Sequence, residues 1–179
     1  MKLKIKVKRI NKYIDLPTII EKVDWVDLRA AEEVTLKAPQ WCPLKRSGTD
    51  GAVISHRDVV FDSKLIGLGI AMQLPKGFEA TVLPRSSTFK NFGVTLANSK
   101  GIIDNSYCGD NDEWKFNAIA FRDTNIFIGD RICQFRIQLS QKATMWQKLK
   151  WLFCSGIELV KVGSLYNPDR EGIGSTGTR

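Results

Sequence analysis

"KLIGLGIAMQLPKGFEATVLP", residues Lys64 to Pro84, is two apolar runs around the turn Pro75-Lys76-Gly77. It reads as a strand, a tight turn and a strand. The same rhythm extends in both directions. "LKIKVKRI" alternates with period two, so Leu3, Ile5 and Val7 share one face and the lysines the other. Val34-Thr35-Leu36, "FGVTLANS", "KFNAIAF" and, after the Gly129-Asp130 turn, "RICQFRIQL" read as further strands. Many short strands separated by turn signals predict an all-β barrel or jelly roll.

Two stretches break the rhythm. Pro39 to Asp62 is polar and turn-rich, with Ser47-Gly48 and Asp50-Gly51, and predicts an excursion loop or hairpin. "ATMWQKLKWLF" places Met145, Leu149, Leu152 and Phe153 on one helical face, with Lys148 and Lys150 off it. A short amphipathic helix is expected there. It should pack against its own protein or a sister subunit rather than lie on a membrane.

The 179 residues suffice for one domain with a core; 43% are hydrophobic and 26% charged, an ordinary globular balance. No apolar run approaches the ~20 residues of a membrane helix, and the N-terminus lacks the apolar stretch of a signal peptide. A net charge of +8 suits phosphate-bearing partners, although charge alone favours the plainer reading of a solvated basic surface. Cys42, Cys108, Cys133 and Cys154 lack CxxC spacing and read as reduced thiols, so a cytoplasmic location is expected. The single histidine, His56, leaves no cluster for zinc and little room for a Ser-His-Asp device. No P-loop motif is present. Any metal should be a hard one held by carboxylates and phosphates, which points to Mg2+.

Four stretches hold more polar and glycine residues than packing requires. "LPRSST" offers Arg85, Ser86 and Ser87 to anionic oxygens, or forms an Arg-capped turn. "ANSKGIIDNSYCGD" presents Gly101, Ile102 and Ile103 as a buried hairpin arm ending in Asp104. That carboxylate can serve as a general base on water, or can simply cap a turn. Tyr107 has the size to sit under a sugar or base. In "GDRICQ", a buried Gln134 would need partners from a ligand or from a structural network. The tail "DREGIGSTGTR" brings glycines, hydroxyls and arginine, the kit for a phosphate-binding nest. Such a loop usually precedes a helix, and here none follows in this sequence.

In this order, the stretches resemble the five motifs of the trimeric dUTP diphosphatase (dUTPase) family. "WVDLRAA" resembles the first, "PRSS" the second, "NSKGIIDNSYCGD" the third, "GDRICQ" the fourth and "REGIGSTG" the fifth. Together they span about Asp24 to Gly177. The resemblance implies a jelly-roll domain over residues 1–168 and a flexible C-terminal arm over 169–179. It further implies a homotrimer in which arms are exchanged and active sites are shared. By position, Asp104 is the base that activates water against the α-phosphorus of dUTP, giving dUMP and pyrophosphate and so feeding thymidylate synthesis. Tyr107 packs under the deoxyribose. Asn98 and the Gly101–Ile103 backbone read uracil. Arg85, Ser86, Ser87 and Gln134 hold phosphates. Asp27 holds Mg2+ through water. Arg170, Gly174, Ser175 and Thr176 close over the γ-phosphate.

The sequence departs from the family pattern in three places. Ile173 stands where the family stacks an aromatic on uracil. Asp24 and Trp25 precede Asp27 where small residues are usual. Residues 39–62 and 142–161 read as insertions without catalytic role. Two rivals stand beside this reading. One is a dCTP deaminase on the same fold, for which Glu113 has the wrong spacing. The other is a basic nucleic-acid or regulatory-partner module, suggested by the charge, the five tryptophans and the lysine-rich helix.

Overall fold

The computed structural model of the chain describes residues 1–42 and 58–170. In chain order, the first strands are β1 (Leu3–Arg9), β2 (Val26–Arg29), β3 (Val34–Leu36), β4 (Gln40–Cys42), β5 (Asp58–Val60), β6 (Ser63–Gly67), β7 (Ile70–Gln73) and β8 (Phe78–Pro84). Helix α1 (Thr88–Phe92) follows, then β9 (Val94–Leu96), β10 (Gly101–Ile103), β11 (Lys115–Ala120), β12 (Thr124–Ile126) and β13 (Arg131–Leu139). Helix α2 (Met145–Leu152) precedes β14 (Ile157–Val162). Three main sheets, ordered β14-β1-β7, β10-β8-β13-β2 and β6-β11-β9, stack as a jelly roll. The ribbons β12-β3 and β4-β5 complete the described sheets.

Alternation in the sequence becomes burial. Leu3, Ile5 and Val7 enter the core while the lysines between them stay out, except that Lys8 is held by Asp110 at 3.3 Å. Phe78, Trp114, Phe116 and Phe135 are fully buried, with Trp114 edge-on to Phe135 at 5.3 Å between ring centres. Burying each such side chain contributes about 1.5–3 kcal/mol.

The run from Lys64 to Leu74 is two strands, not one. β6 pairs with β11 and β7 with β1, and the break lies at Leu68-Gly69. Gly69 has φ +66°, and a Cβ there would stand 2.6 Å from Ile14 Cδ1. The Glu113 carboxylate accepts from Gly69 N at 2.8 Å and fixes the kink. The turn at Pro75–Gly77 forms as expected, with Phe78 N donating to Pro75 O at 3.1 Å. It does not make a hairpin, however. β7 and β8 belong to different sheets, so the turn carries the chain across the core.

The Pro39–Asp62 excursion has a hairpin stem, in which Gln40 pairs with Val60 and Trp41 with Val59. The Ser47-Gly48 and Asp50-Gly51 turns and His56 lie outside the described residues.

Helix α2 forms where the periodicity places it. A capping box starts it: Gln147 N donates to Thr144 Oγ1 at 3.4 Å, and Thr144 N to Gln147 Oε1 at 2.7 Å. Its apolar face does not pack against the domain, contrary to that part of the expectation. Met145, Trp146, Leu152 and Phe153 are all more than two-thirds exposed. The inward face is set instead by Trp151, whose ring lies 5.4 Å from Phe78, and by Gln147, which occupies the space a side chain at Gly77 would need. Beyond it, β14 lies parallel to β1 and closes the first sheet.

Candidate active site

Strand register assembles the first group of candidate residues. β13 lies between β8 and β2, and Gln134 is opposite Leu83 on one side and Asp27 on the other. β8 ends at Pro84, so Arg85 emerges beside Asp27. Its Nε donates to Asp27 Oδ1 at 2.8 Å, and Arg131 Nη1 reaches Asp27 Oδ2 at 3.3 Å. One carboxylate thus holds two guanidiniums in a shared orientation. The backbone of the corner is fixed by Thr88, which is fully buried. Its hydroxyl accepts from Arg85 N at 3.0 Å and donates to Ile132 O at 2.8 Å.

Ser87 occupies the N-cap of α1 without a side-chain cap bond, and Ser86 is exposed, so neither hydroxyl is used as a helix cap. Two guanidiniums and two hydroxyls on one rim are matched to anionic oxygens. Gln134 is only half-buried, and its amide donates to Pro84 O at 3.3 Å. It is therefore less enclosed than the sequence suggests, although strands pair with β13 on both sides of it.

The second group surrounds Asp104, just past β10. That strand is the edge of its sheet, which corrects the expected burial of the arm: Ile103 packs on the core, but Ile102 is 47% exposed. The tip before it turns through Ser99 at φ 60°, with Asn98 exposed. Asp104 is itself exposed, and its Oδ1 accepts from Ser106 N at 2.7 Å and from Ser106 Oγ at 2.5 Å. Those two bonds, then the charges of Arg170 and Lys142, hold its carboxyl below the usual carboxylate range. It is poised as an ionised base.

Asn105 ties the Asp104 loop to the β7–β8 turn by donating to Leu74 O and Pro75 O at 2.9 and 3.0 Å. Tyr107 is half-buried and donates its hydroxyl to Glu113 O at 2.9 Å, which fixes the ring. Burial, followed by the charges of Asp112, Glu113 and Asp169, pushes its phenol up, so it stays protonated. Arg170 donates to Ser106 Oγ at 2.8 Å and lies 3.6 Å from Asp104 Oδ1.

The two groups do not meet in one chain. Ile103 is opposite Ala80 and Gly101 opposite Val82, so the chain leaves β10 for Asp104 beside the start of β8, while Arg85 lies beyond its end. Six residues of strand separate those two ends, roughly 20 Å. Asn98 falls towards the Arg85 end.

A family model described as dUTPase matches residues 53–148. The SPbeta prophage-derived deoxyuridine 5'-triphosphate nucleotidohydrolase YosS of Bacillus subtilis is 44% identical over 177 residues, covering 99% of this chain and all of that protein. The chain belongs to the dUTPase family. The dUTPase from Streptococcus mutans superposes with a TM-score of 0.59 at 19% identity, covering 78% of this chain and 98% of that one. A mutant dUTPase from phage phi11 of S. aureus, described with a structural Mg(II) ion, gives 0.57 at 15% identity, covering 79% and 94%. At these identities the structures speak for the fold.

The dUTPase model spans the second, third and fourth motifs, and the first and fifth lie outside it. Ile173, Gly174, Ser175 and Thr176 lie outside the described residues. Glu113, the acid weighed for a deaminase, is engaged at Gly69 in the β6–β7 kink. Asp27 is a lone carboxylate whose two oxygens already accept from Arg85 and Arg131. No group of three or more metal-ligating side chains occurs among the described residues.

Sequence reasoning assigned no role to Arg131, Thr88 or Ser106, although all three lie inside the quoted motifs. Only Arg131 carried a signal, an arginine three residues before Gln134 in "GDRICQ".

Proposed function

We propose that this dUTPase-family chain hydrolyses dUTP to dUMP and pyrophosphate, with Asp104 drawing a proton from the water that attacks the α-phosphorus. The observation that carries this reading is an exposed carboxylate held ionised by Ser106 and standing apart from a paired-guanidinium corner. The nucleotidohydrolase relative that matches the chain end to end supports the substrate.

An oxyanion is a poor target until its charge is balanced. Arg85 and Arg131, already aimed by Asp27, receive phosphate oxygens, with Ser86 and Ser87 as rotatable donors and Gln134 at the α-phosphate. Asn98 and the Gly101–Ile103 backbone read the uracil edge. The fixed Tyr107 ring packs under deoxyribose and leaves no space for a 2′-hydroxyl. Asp27 would hold Mg2+ through water, and the ion when bound would supply neutralisation of phosphate charge.

In this reading Gln134, paired with Leu83 towards the Arg85 end of β8, holds the α-phosphate, whereas Asp104 lies beside the start of β8 and must reach the water that attacks that phosphorus. We therefore read the site as shared between copies, in the homotrimer the family resemblance implies, with residues 1–168 as the barrel. The arm over 169–179, carrying Arg170, Ile173, Gly174, Ser175 and Thr176, closes on the γ-phosphate. A cytoplasmic setting agrees with the free thiols at Cys108, Cys133 and Cys154. No helix among the described residues is long and apolar enough to cross a membrane.

The test is pyrophosphate release from each deoxynucleoside triphosphate, with and without Mg2+. Selective release from dUTP supports the reading; ammonia release from dCTP, or no turnover, overturns it.

A further inference from the structure

The hydroxyl of Ser106 stands between two charged groups. Arg170 Nη1 donates to its oxygen at 2.8 Å, and its own proton goes to Asp104 Oδ1 at 2.5 Å. The direction of both bonds is forced. A guanidinium accepts nothing and an ionised carboxylate donates nothing, so only one orientation of the hydroxyl satisfies both neighbours. Ser106 N adds a second bond to Oδ1 at 2.7 Å, whereas Oδ2 receives no hydrogen bond among the described residues. The carboxylate is held by one oxygen and open at the other.

Arg170 reaches Ser106 because its backbone is tied to the same loop. Arg170 N donates to both oxygens of Asp112 at 3.0 Å, and Asp112 also accepts from Gly109 N at 2.7 Å. Asp112 is buried, so losing these bonds would leave a carboxylate in a poor environment. Next to it, Asp169 accepts from Asn111 N at 2.8 Å and from Asn111 Nδ2 at 2.7 Å.

Charge alone gives Arg170 little influence on the base. The two side chains are 47% and 61% exposed and 3.6 Å apart, so their direct attraction is screened by water. The other groups facing Asp104 are Lys142, whose charge acts in the same sense, and the Cys108 thiol. Burial, then Asp112 and Asp104, push that thiol up, so it is uncharged. The two Ser106 bonds outweigh all of these in holding the Asp104 carboxyl low. The specific effect of Arg170 is therefore on the hydroxyl: a lone pair engaged by the guanidinium keeps the Ser106 proton turned to Oδ1.

We propose that Arg170 is a positioning residue for the base: it aims the Ser106 hydroxyl at Asp104 Oδ1 and leaves Oδ2 to take the proton from water. This rests on the reading of Asp104 as the base, and it requires no contact between Arg170 and phosphate.

The experiment uses the full chain and the variants Arg170→Ala, Ser106→Ala and the two combined. All three changes are at exposed positions. The pH profile of kcat/KM for dUTP is recorded, with binding of a non-hydrolysable dUTP analogue. Without Arg170 the hydroxyl turns away part of the time, the ionised carboxylate loses a donor, and its titration rises. The acid limb of Arg170→Ala should therefore move upward, in the same direction as that of Ser106→Ala and by less. The double variant should move no further than Ser106→Ala, because Arg170 acts through the hydroxyl that is missing. Analogue affinity should stay within about twofold in Arg170→Ala. An unmoved limb in Arg170→Ala, additive shifts in the double variant, or weakened analogue binding with the limb in place overturns the proposal. A wild-type chain that fails to hydrolyse dUTP, or an Asp104→Asn chain that keeps its turnover, overturns the functional reading instead.

Discussion

Pairing two inactive variants tests the separation of the two site halves. Asp104→Asn removes the base; Arg85→Ala removes the guanidinium held 2.8 Å from Asp27. In one chain these residues lie at opposite ends of β8, roughly 20 Å apart by strand rise. If each site takes its Asp104 half from one copy and its Arg85 half from another, mixed oligomers regain function. After dissociation and reassembly at equal ratio, each half is intact with probability one-half. About one-quarter of the sites are then wild type in a closed ring of copies. Each variant alone should show almost no pyrophosphate release, and the mixture about 25% of wild-type turnover per chain at the same total concentration, from the same statistics. Both variants should first match the wild-type thermal midpoint. A mixture as inactive as its components would place both halves in the same chain and refute the reasoning.

Three further outcomes are expected. Ser106→Ala removes the largest influence that lowers the Asp104 carboxyl. A depressed carboxyl stays ionised to lower pH, so losing that bond raises its titration and moves the acid limb of kcat/KM upward; an unmoved limb would show that another group sets it. Thr88→Val orphans Arg85 N–H and Ile132 C=O at a fully buried position and should cost about 1–3 kcal/mol in denaturant unfolding, with kcat/KM lowered as well. Phe135→Ala in the core should cost about 3–5 kcal/mol, whereas Leu152→Ala on the outward face of α2 should stay within about 0.5 kcal/mol. A large loss at Leu152 would mean that the α2 face is covered.

Sequence pattern alone located what depends on local periodicity. The alternation in Leu3–Arg9 and in Lys115–Ala120 states which side chains enter the core, because period two is a property of the strand itself. Asp104 and Arg85 stood out as candidates from the polar residues clustered around them, and their roles came from the family resemblance. What escaped depends on distant contacts. Nothing near Gly69 announces that Glu113, 44 residues away, will bend the chain there. The parallel pairing of β14 with β1 joins ends of the sequence more than 150 residues apart. Thr88 looked like one more hydroxyl in "LPRSST", and its importance lies in a carbonyl of another strand. The surface that meets the outward face of α2 was not legible, because periodicity identifies an apolar stripe but not what covers it.

The most direct measurement is single-turnover cleavage of dUTP by the wild-type chain and by Asp104→Asn, with binding of the non-hydrolysable analogue measured on the same samples. The account predicts that the substitution abolishes nearly all pyrophosphate release and leaves analogue affinity within about threefold, since an amide of the same size keeps the loop but holds its proton. Cleavage at the wild-type rate by Asp104→Asn would contradict it.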